Sequence, residues 1–232
     1  MKIIVHMGQG KTGTTALQES FSAAAKNLRT ARVLYPNFNG GVAHHLLLAK
    51  FGNPEHLPRW THDRFGGMDG TVLAGQTAWN QTLTEIDRLR PDVLVLSSKY
   101  LISHDVDQCR KNLSKSLAPL SADITPVIYV RHPVDHYRSR LQQWLKHRSG
   151  VCLPIRQGLR AGIEHTEAVF SRRPEILAFD RKTLHGGDIV EDFATRFLAP
   201  WVTPQDLPRI ESNVSLSAEA LVLMTQLRAE LG

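Results

Sequence analysis

Short apolar runs, closed at each end by polar or turn-forming residues, recur at Ile3 to Met7, Arg32 to Tyr35, Val93 to Leu96, Pro126 to Val130 and Glu175 to Phe179. Continuous runs of this length suit strands buried on both faces, the habit of a parallel sheet covered by helices. Between them the spacing turns helical. Thr14 to Leu28 is rich in Ala and Leu, Trp79 to Leu89 sets Leu83, Ile86 and Leu89 on one side, and Asp135 to His147 carries Leu141, Trp144 and Leu145. This alternation predicts an α/β fold with a central parallel sheet of four or five strands flanked by helices.

Two stretches break the rhythm. Residues 37–70 hold Asn39-Gly40-Gly41 and Gly66-Gly67 and read as long loops around a short helix containing Leu46 to Phe51. Residues 148–171 interrupt the sheet pattern again. Excursions of this size on an α/β scaffold are places for a substrate site, or plain surface loops. The length of 232 residues fits one domain carrying both insertions.

Composition changes this picture little. The apolar share of 42% and charged share of 22% are those of a globular protein. A formal charge of +6 favours an anionic partner or a basic solvated face. Cys109 and Cys152 form neither a disulfide framework nor a metal cluster, and read as two reduced thiols. The opening apolar run is too short for a secretion signal, and no stretch approaches the ~20 apolar residues of a membrane span. A cytoplasmic protein is expected.

The chemistry centres on Val5-His6-Met7-Gly8-Gln9-Gly10-Lys11-Thr12-Gly13-Thr14-Thr15. A loop passing from a buried strand into a helix N-terminus offers unpaired amides and the positive end of the helix dipole to an anion. Gly8, Gly10 and Gly13 allow close backbone approach, Lys11 adds charge, and Thr12, Thr14 and Thr15 add hydroxyl donors. The spacing departs from the usual nucleotide triphosphatase loop, which wants a glycine where Val5 stands. A triphosphatase also needs an acidic residue at the end of a second apolar strand to hold Mg²⁺. Here Lys99 follows one such strand and Arg131 ends the other.

Residues 6–18 (HMGQGKTGTTALQ) and 127–144 (VIYVRHPVDHYRSRLQQW) together resemble the two cofactor signatures of the sulfotransferases that use 3′-phosphoadenosine 5′-phosphosulfate (PAPS), above all the bacterial-type branch. The later stretches 177–197 and 213–221 are similar to the same branch. The resemblance implies a three-layer, P-loop-like fold and transfer of a sulfuryl group to a hydroxyl or amine of a sugar or small molecule. It implies no metal, no nucleic-acid partner and no membrane span. It assigns the 5′ phosphosulfate to Gly10, Lys11, Thr12, Gly13, Thr14 and Thr15, and the 3′-phosphate to Arg131 and Ser139. The planar guanidinium of Arg131 is suited to donating two hydrogen bonds to one phosphate. A kinase using ATP and a non-catalytic module binding nucleotides or polyanions are the alternatives.

Catalysis needs a base within reach of the acceptor. The bacterial-type pattern has Ser-Ser-Glu after its third apolar strand, whereas this chain has Ser97-Ser98-Lys99. Lysine at that strand end is familiar from cytosolic sulfotransferases, which assigns Lys99 to the sulfonate, but Leu101 stands where their histidine base would be. His45, of the His44-His45 pair, is the first candidate base and His104 the second, against the plainer reading of cap or surface histidines. His132 and His136 are expected as solvated histidines near the phosphate pocket. Arg138, Arg140, Lys146, His147, Arg148, Arg156 and Arg160 either help hold an anion or form the wet side of a helix. Asn213-Val214-Ser215 is expected to cap the last helix.

Overall fold

In the computed structural model, which describes residues 1–103, 105–146, 153, 158–210 and 218–231, the five apolar runs become five strands. β1 (Lys2–His6), β2 (Val33–Leu34), β3 (Val93–Ser97), β4 (Ile124–Val130) and β5 (Glu175–Ala178) form an all-parallel sheet in the order β2-β3-β1-β4-β5. The helices along the chain are α1 (Thr14–Ala23), α2 (Ala25–Thr30), α3 (Leu47–Phe51), α4 (Arg59–Arg64), α5 (Met68–Leu89), α6 (Asp107–Leu117), α7 (Pro133–Leu145), α8 (Leu159–Phe170), α9 (Ile189–Phe193) and α10 (Ala218–Leu231). No helix among the described residues is long and apolar enough to cross a membrane.

Successive side chains of a strand point to opposite faces, and the core divides accordingly. Ile3, Val5, Met7, Leu94, Leu96 and Ile128 pack with Leu47, Ala78, Trp79, Ile86, Leu113 and Leu117 of α3, α5 and α6. Ile4, Val93, Val95, Val127 and Tyr129 pack with Leu17, Phe21 and Leu28 of α1 and α2 and with Ile189, Val190 and Phe193 of α9. The result is three layers: helices, sheet, helices.

Several expectations change. β5 is not buried on both faces. It pairs with β4 alone, and Glu175, Ile176 and Ala178 are exposed. The helix expected over Thr14 to Leu28 breaks at Ala24 (φ −84°, ψ 2°) into α1 and α2. Residues 37–70 are more ordered than long loops, because they hold α3, α4 and the first turn of α5.

The helices that apolar periodicity leaves out, α4 and α8, fully bury only small or polar residues: Thr61 in α4, and Gly162 and Thr166 in α8. Gly75 of α5 and Gly162 of α8 each sit at a close interface. A Cβ on Gly75 would lie 2.9 Å from the Leu46 carbonyl, and one on Gly162 would lie 2.1 Å from that of Ile102. Thus α8 also occupies much of the second excursion.

Candidate functional site

Because β1 lies between β3 and β4, the carboxyl ends of these three strands are neighbours. The chain leaving β1 turns into α1 on one face, and the chain leaving β3 reaches α6 on the other. A crevice at such a switch point is where open α/β sheets bind ligands. The pairing continues past the strands: the Ser98 amide donates to the His6 carbonyl at 3.0 Å and the Met7 amide to that of Val127 at 2.8 Å. Gly8 to Thr15, Ser98-Lys99 and Arg131 thereby emerge side by side.

Three successive carbonyls of the glycine loop are tied to donors. Thr12 Oγ1 donates to the Gln9 carbonyl at 2.6 Å, His136 Nε2 to that of Gly10 at 3.0 Å, and Arg131 Nη1 to that of Lys11 at 3.2 Å. The Arg131 amide donates back to Gln9 Oε1 at 3.0 Å. Among the described residues no backbone hydrogen bond outside the regular elements runs from the amides of Gly10, Lys11, Gly13, Thr14 and Thr15, which leaves these to an anion. A Cβ on Gly8 would stand 2.0 Å from the Thr14 methyl, and Gly13, at φ +70°, has Phe179 and Ile189 at 3.0 Å from a built Cβ. Beside Gly10 there is open space. Lys11 itself holds φ +69°, a left-handed conformation that costs a non-glycine residue about 1–2 kcal/mol.

His136 was expected in solvent. It is instead buried against the loop. Burial above all, then the charges of Arg140, Arg131 and Lys11, hold its pKa below the usual imidazole range. Ser139 is half-buried on α7, between His136 and Gln143 on one helix face. Gln143 Oε1 accepts from Lys11 Nζ at 3.4 Å.

Four cations share this crevice. Burial lowers the pKa of Lys11, and Lys146, Arg131 and Lys99 lower it further. Burial likewise lowers that of Lys99, whose Nζ sits 5.3 Å from the Tyr100 ring centroid. The Arg131 guanidinium lies 5.6 Å from that of Phe179. Among the described residues none of the four forms an ion pair with a carboxylate. Within the described part of the basic run, Arg138 pairs with Asp135 at 3.7 Å and Arg160 with Glu164 at 2.7 Å on the wet sides of their helices. His147, Arg148 and Arg156 lie outside the described residues, as do Cys152, His104 and Asn213 to Ser215; Cys109 is a buried free thiol.

The two adjacent histidines separate. His44 is fully buried: the Ser97 amide donates to its Nδ1 at 2.9 Å, and its Nε2 donates to the Pro36 carbonyl at 2.9 Å. It is neither cap nor surface residue. His45 is partly buried, with Nδ1 2.9 Å from Ser98 Oγ and its ring centroid 4.5 Å from that of Tyr100. Burial, then Lys99 and His44, push its pKa down to about 3. His45 and Lys99 therefore border the same crevice as the glycine loop. Gln9, His136, Gln143 and Lys146 complete it; His136 was expected near the phosphate pocket and Lys146 in the basic run, whereas neither glutamine was singled out.

The turn bearing Lys99 is held from beneath. Arg110, fully buried, donates through Nη1 to the carbonyls of Leu101 (2.6 Å) and Ser103 (2.7 Å) and through Nη2 to Asp107. Arg110→Met removes those donors and leaves two carbonyls and a carboxylate short of partners. It is expected to destabilise the protein by about 2–4 kcal/mol, read by urea denaturation; a loss under about 1 kcal/mol would show that the turn does not depend on it.

No family model matches the chain, and no curated protein sequence matches it. Among solved structures, the crystal structure of a sulfotransferase from Alicyclobacillus acidocaldarius matches it with a TM-score of 0.52 and 14% sequence identity, covering 99% of this chain and 96% of that one. At that identity the likeness speaks to architecture. The chain thus shares its fold with a sulfotransferase.

Proposed function

We propose that the protein is a sulfotransferase that moves a sulfuryl group from PAPS to a hydroxyl or amine of a sugar or small-molecule acceptor. The observation that carries this reading is the meeting of Lys11, Lys99 and Arg131 at three adjacent strand ends, without a carboxylate partner among the described residues. Cations stand at both positions where a magnesium-dependent phosphotransferase needs an acid.

The donor fits these residues: the open amides and the space beside Gly10 suit a phosphosulfate, and Arg131 with Ser139 suits a second phosphate. When bound, it supplies an activated sulfuryl group whose departure leaves negative charge on a bridging oxygen. Lys11 and the loop amides face that charge with donors already in place. Lys99 adds a second positive charge toward the sulfonate. His45, kept neutral, uses Nδ1 on Ser98 and leaves Nε2 to take the acceptor's proton.

Thermal denaturation tests the donor assignment. Adenosine 3′,5′-bisphosphate at roughly a hundredfold excess over its Kd is expected to raise Tm by about 5–10 °C, with ATP and Mg²⁺ far weaker. Selective stabilisation by Mg-ATP would replace this reading with a kinase. Binding only to long polyanions, steeply weakened by salt, would indicate a non-catalytic module.

A further inference from the structure

We propose that His44 is a positioning residue: its two-sided lock on Ser97 sets the ring of His45 against Ser98 and beside Lys99. The catalytic meaning of this rests on the reading of His45 as proton acceptor; the lock itself rests on geometry alone.

Two consecutive histidines are laid against two consecutive serines. The His44 amide donates to the Ser97 carbonyl at 2.9 Å while the Ser97 amide donates to His44 Nδ1 at 2.9 Å, closing a reciprocal pair between residues 53 apart in the chain. Both residues are buried. Ser97 is held in turn by its neighbours: His6 Nδ1 lies 2.8 Å from its Oγ, and Gln18 Nε2 donates to that Oγ at 3.0 Å. The His44 ring is clamped by Tyr35 and Phe38, with centroids at 4.4 and 4.6 Å. Its far nitrogen donates to the Pro36 carbonyl. One nitrogen accepts and the other donates, so His44 is neutral with its proton on Nε2.

His45 follows immediately and enters α3, its carbonyl accepting from the Leu48 amide at 3.0 Å. With the backbone fixed on both sides, its side chain meets Ser98, Lys99 and Tyr100. Releasing His44 removes the fixed point before it. A misplacement of about 1 Å at a reacting group costs up to about 10²-fold in rate.

The test is ¹⁵N spectroscopy of the imidazoles in the full chain, which needs neither donor nor acceptor. In the wild type, a scalar coupling is expected between the Ser97 amide nitrogen and His44 Nδ1, and His45 is expected to keep one neutral tautomer at pH values where free imidazole protonates. His44→Asn retains an acceptor for Ser97 and should leave His45 as it is. His44→Gln reaches Pro36 but not Ser97, and should free the ring to titrate near its ordinary range. Its turnover should fall about 10–100-fold with affinity for adenosine 3′,5′-bisphosphate unchanged. Absence of the Ser97–His44 coupling in the wild type overturns the lock whether or not either variant folds. Identical His45 spectra in both variants overturn it too, and a freed ring with unaltered turnover overturns the positioning role. A failure of the donor reading shows separately, as loss of bisphosphate binding in the wild type.

Discussion

Lys11→Ala is expected to lower sulfuryl transfer by about 10²–10³-fold, the usual cost of removing one preorganised donor from a developing negative charge. The ammonium of Lys11 is held by Gln143 in a crevice shared with Lys99, Arg131 and Lys146. Burial and these like charges make its proton easier to lose than that of an ordinary lysine. The sign follows: the folded pKa lies below the unfolded one, so the ligand-free protein gains stability as pH rises between the two values. Under the proposed function activity moves the other way, since transfer would need the charged form, and it should decline before the ordinary lysine range is reached. A bound bisphosphate opposes the like charges and shifts that decline to higher pH. Lys11→Gly offers a control: it should lose the same activity while shedding the left-handed strain that lysine and alanine both carry at φ +69°. Steady-state rates across pH check the activity claims and urea denaturation across pH checks the stability claim; wild-type turnover in Lys11→Ala would remove the lysine from the mechanism.

His45→Ala should cost about 10²–10⁴-fold in turnover, the range for a positioned base, while calorimetry shows unchanged affinity for adenosine 3′,5′-bisphosphate. The imidazole must be neutral to accept a proton, and burial with Lys99 keeps it so down to about 3. The profile of kcat/KM should therefore stay level where free imidazole would protonate. In the complex, donor charge beside Lys99 raises the imidazole's pKa, so the acid limb of kcat should lie above that of kcat/KM. Stability has the same sign here. His6, His44 and His45 are all held neutral, with pKa values of about 3. Unfolding lets them bind protons, so stability is lost as pH falls from the ordinary histidine value toward 3. Turnover that survives His45→Ala would pass the base to another residue.

Much of the layering was legible in the chain. Runs such as Val93 to Leu96 carry no polar alternation, and such runs have few outcomes other than a strand covered on both sides. The glycine loop, with Lys11 between Gly10 and Gly13, also stood out, because strand, loop and helix follow one another within it. What periodicity missed was burial without large apolar groups. The α8 contact with Ile102 runs through Gly162, α4 buries only Thr61, and α6 buries Arg110 alongside Leu113 and Leu117. The run Glu175 to Phe179 read as a core strand because four of its five residues are apolar, yet the edge position of β5 leaves one side unpaired.

Local patterning, then, determined the strand segments, the α/β alternation, the anion-ready loop and a cation after each of two strands. Only the tertiary structure decided that β1 lies between β3 and β4, and hence that Lys11, Lys99 and Arg131 meet. It also decided that His44 turns inward while His45 borders the crevice, and that His136 supports the loop. The physical reason is that apolar spacing records how much of each residue is covered. It does not record which distant segment covers it, and strand order and side-chain partners are long-range choices made by crossover connections and mutual packing.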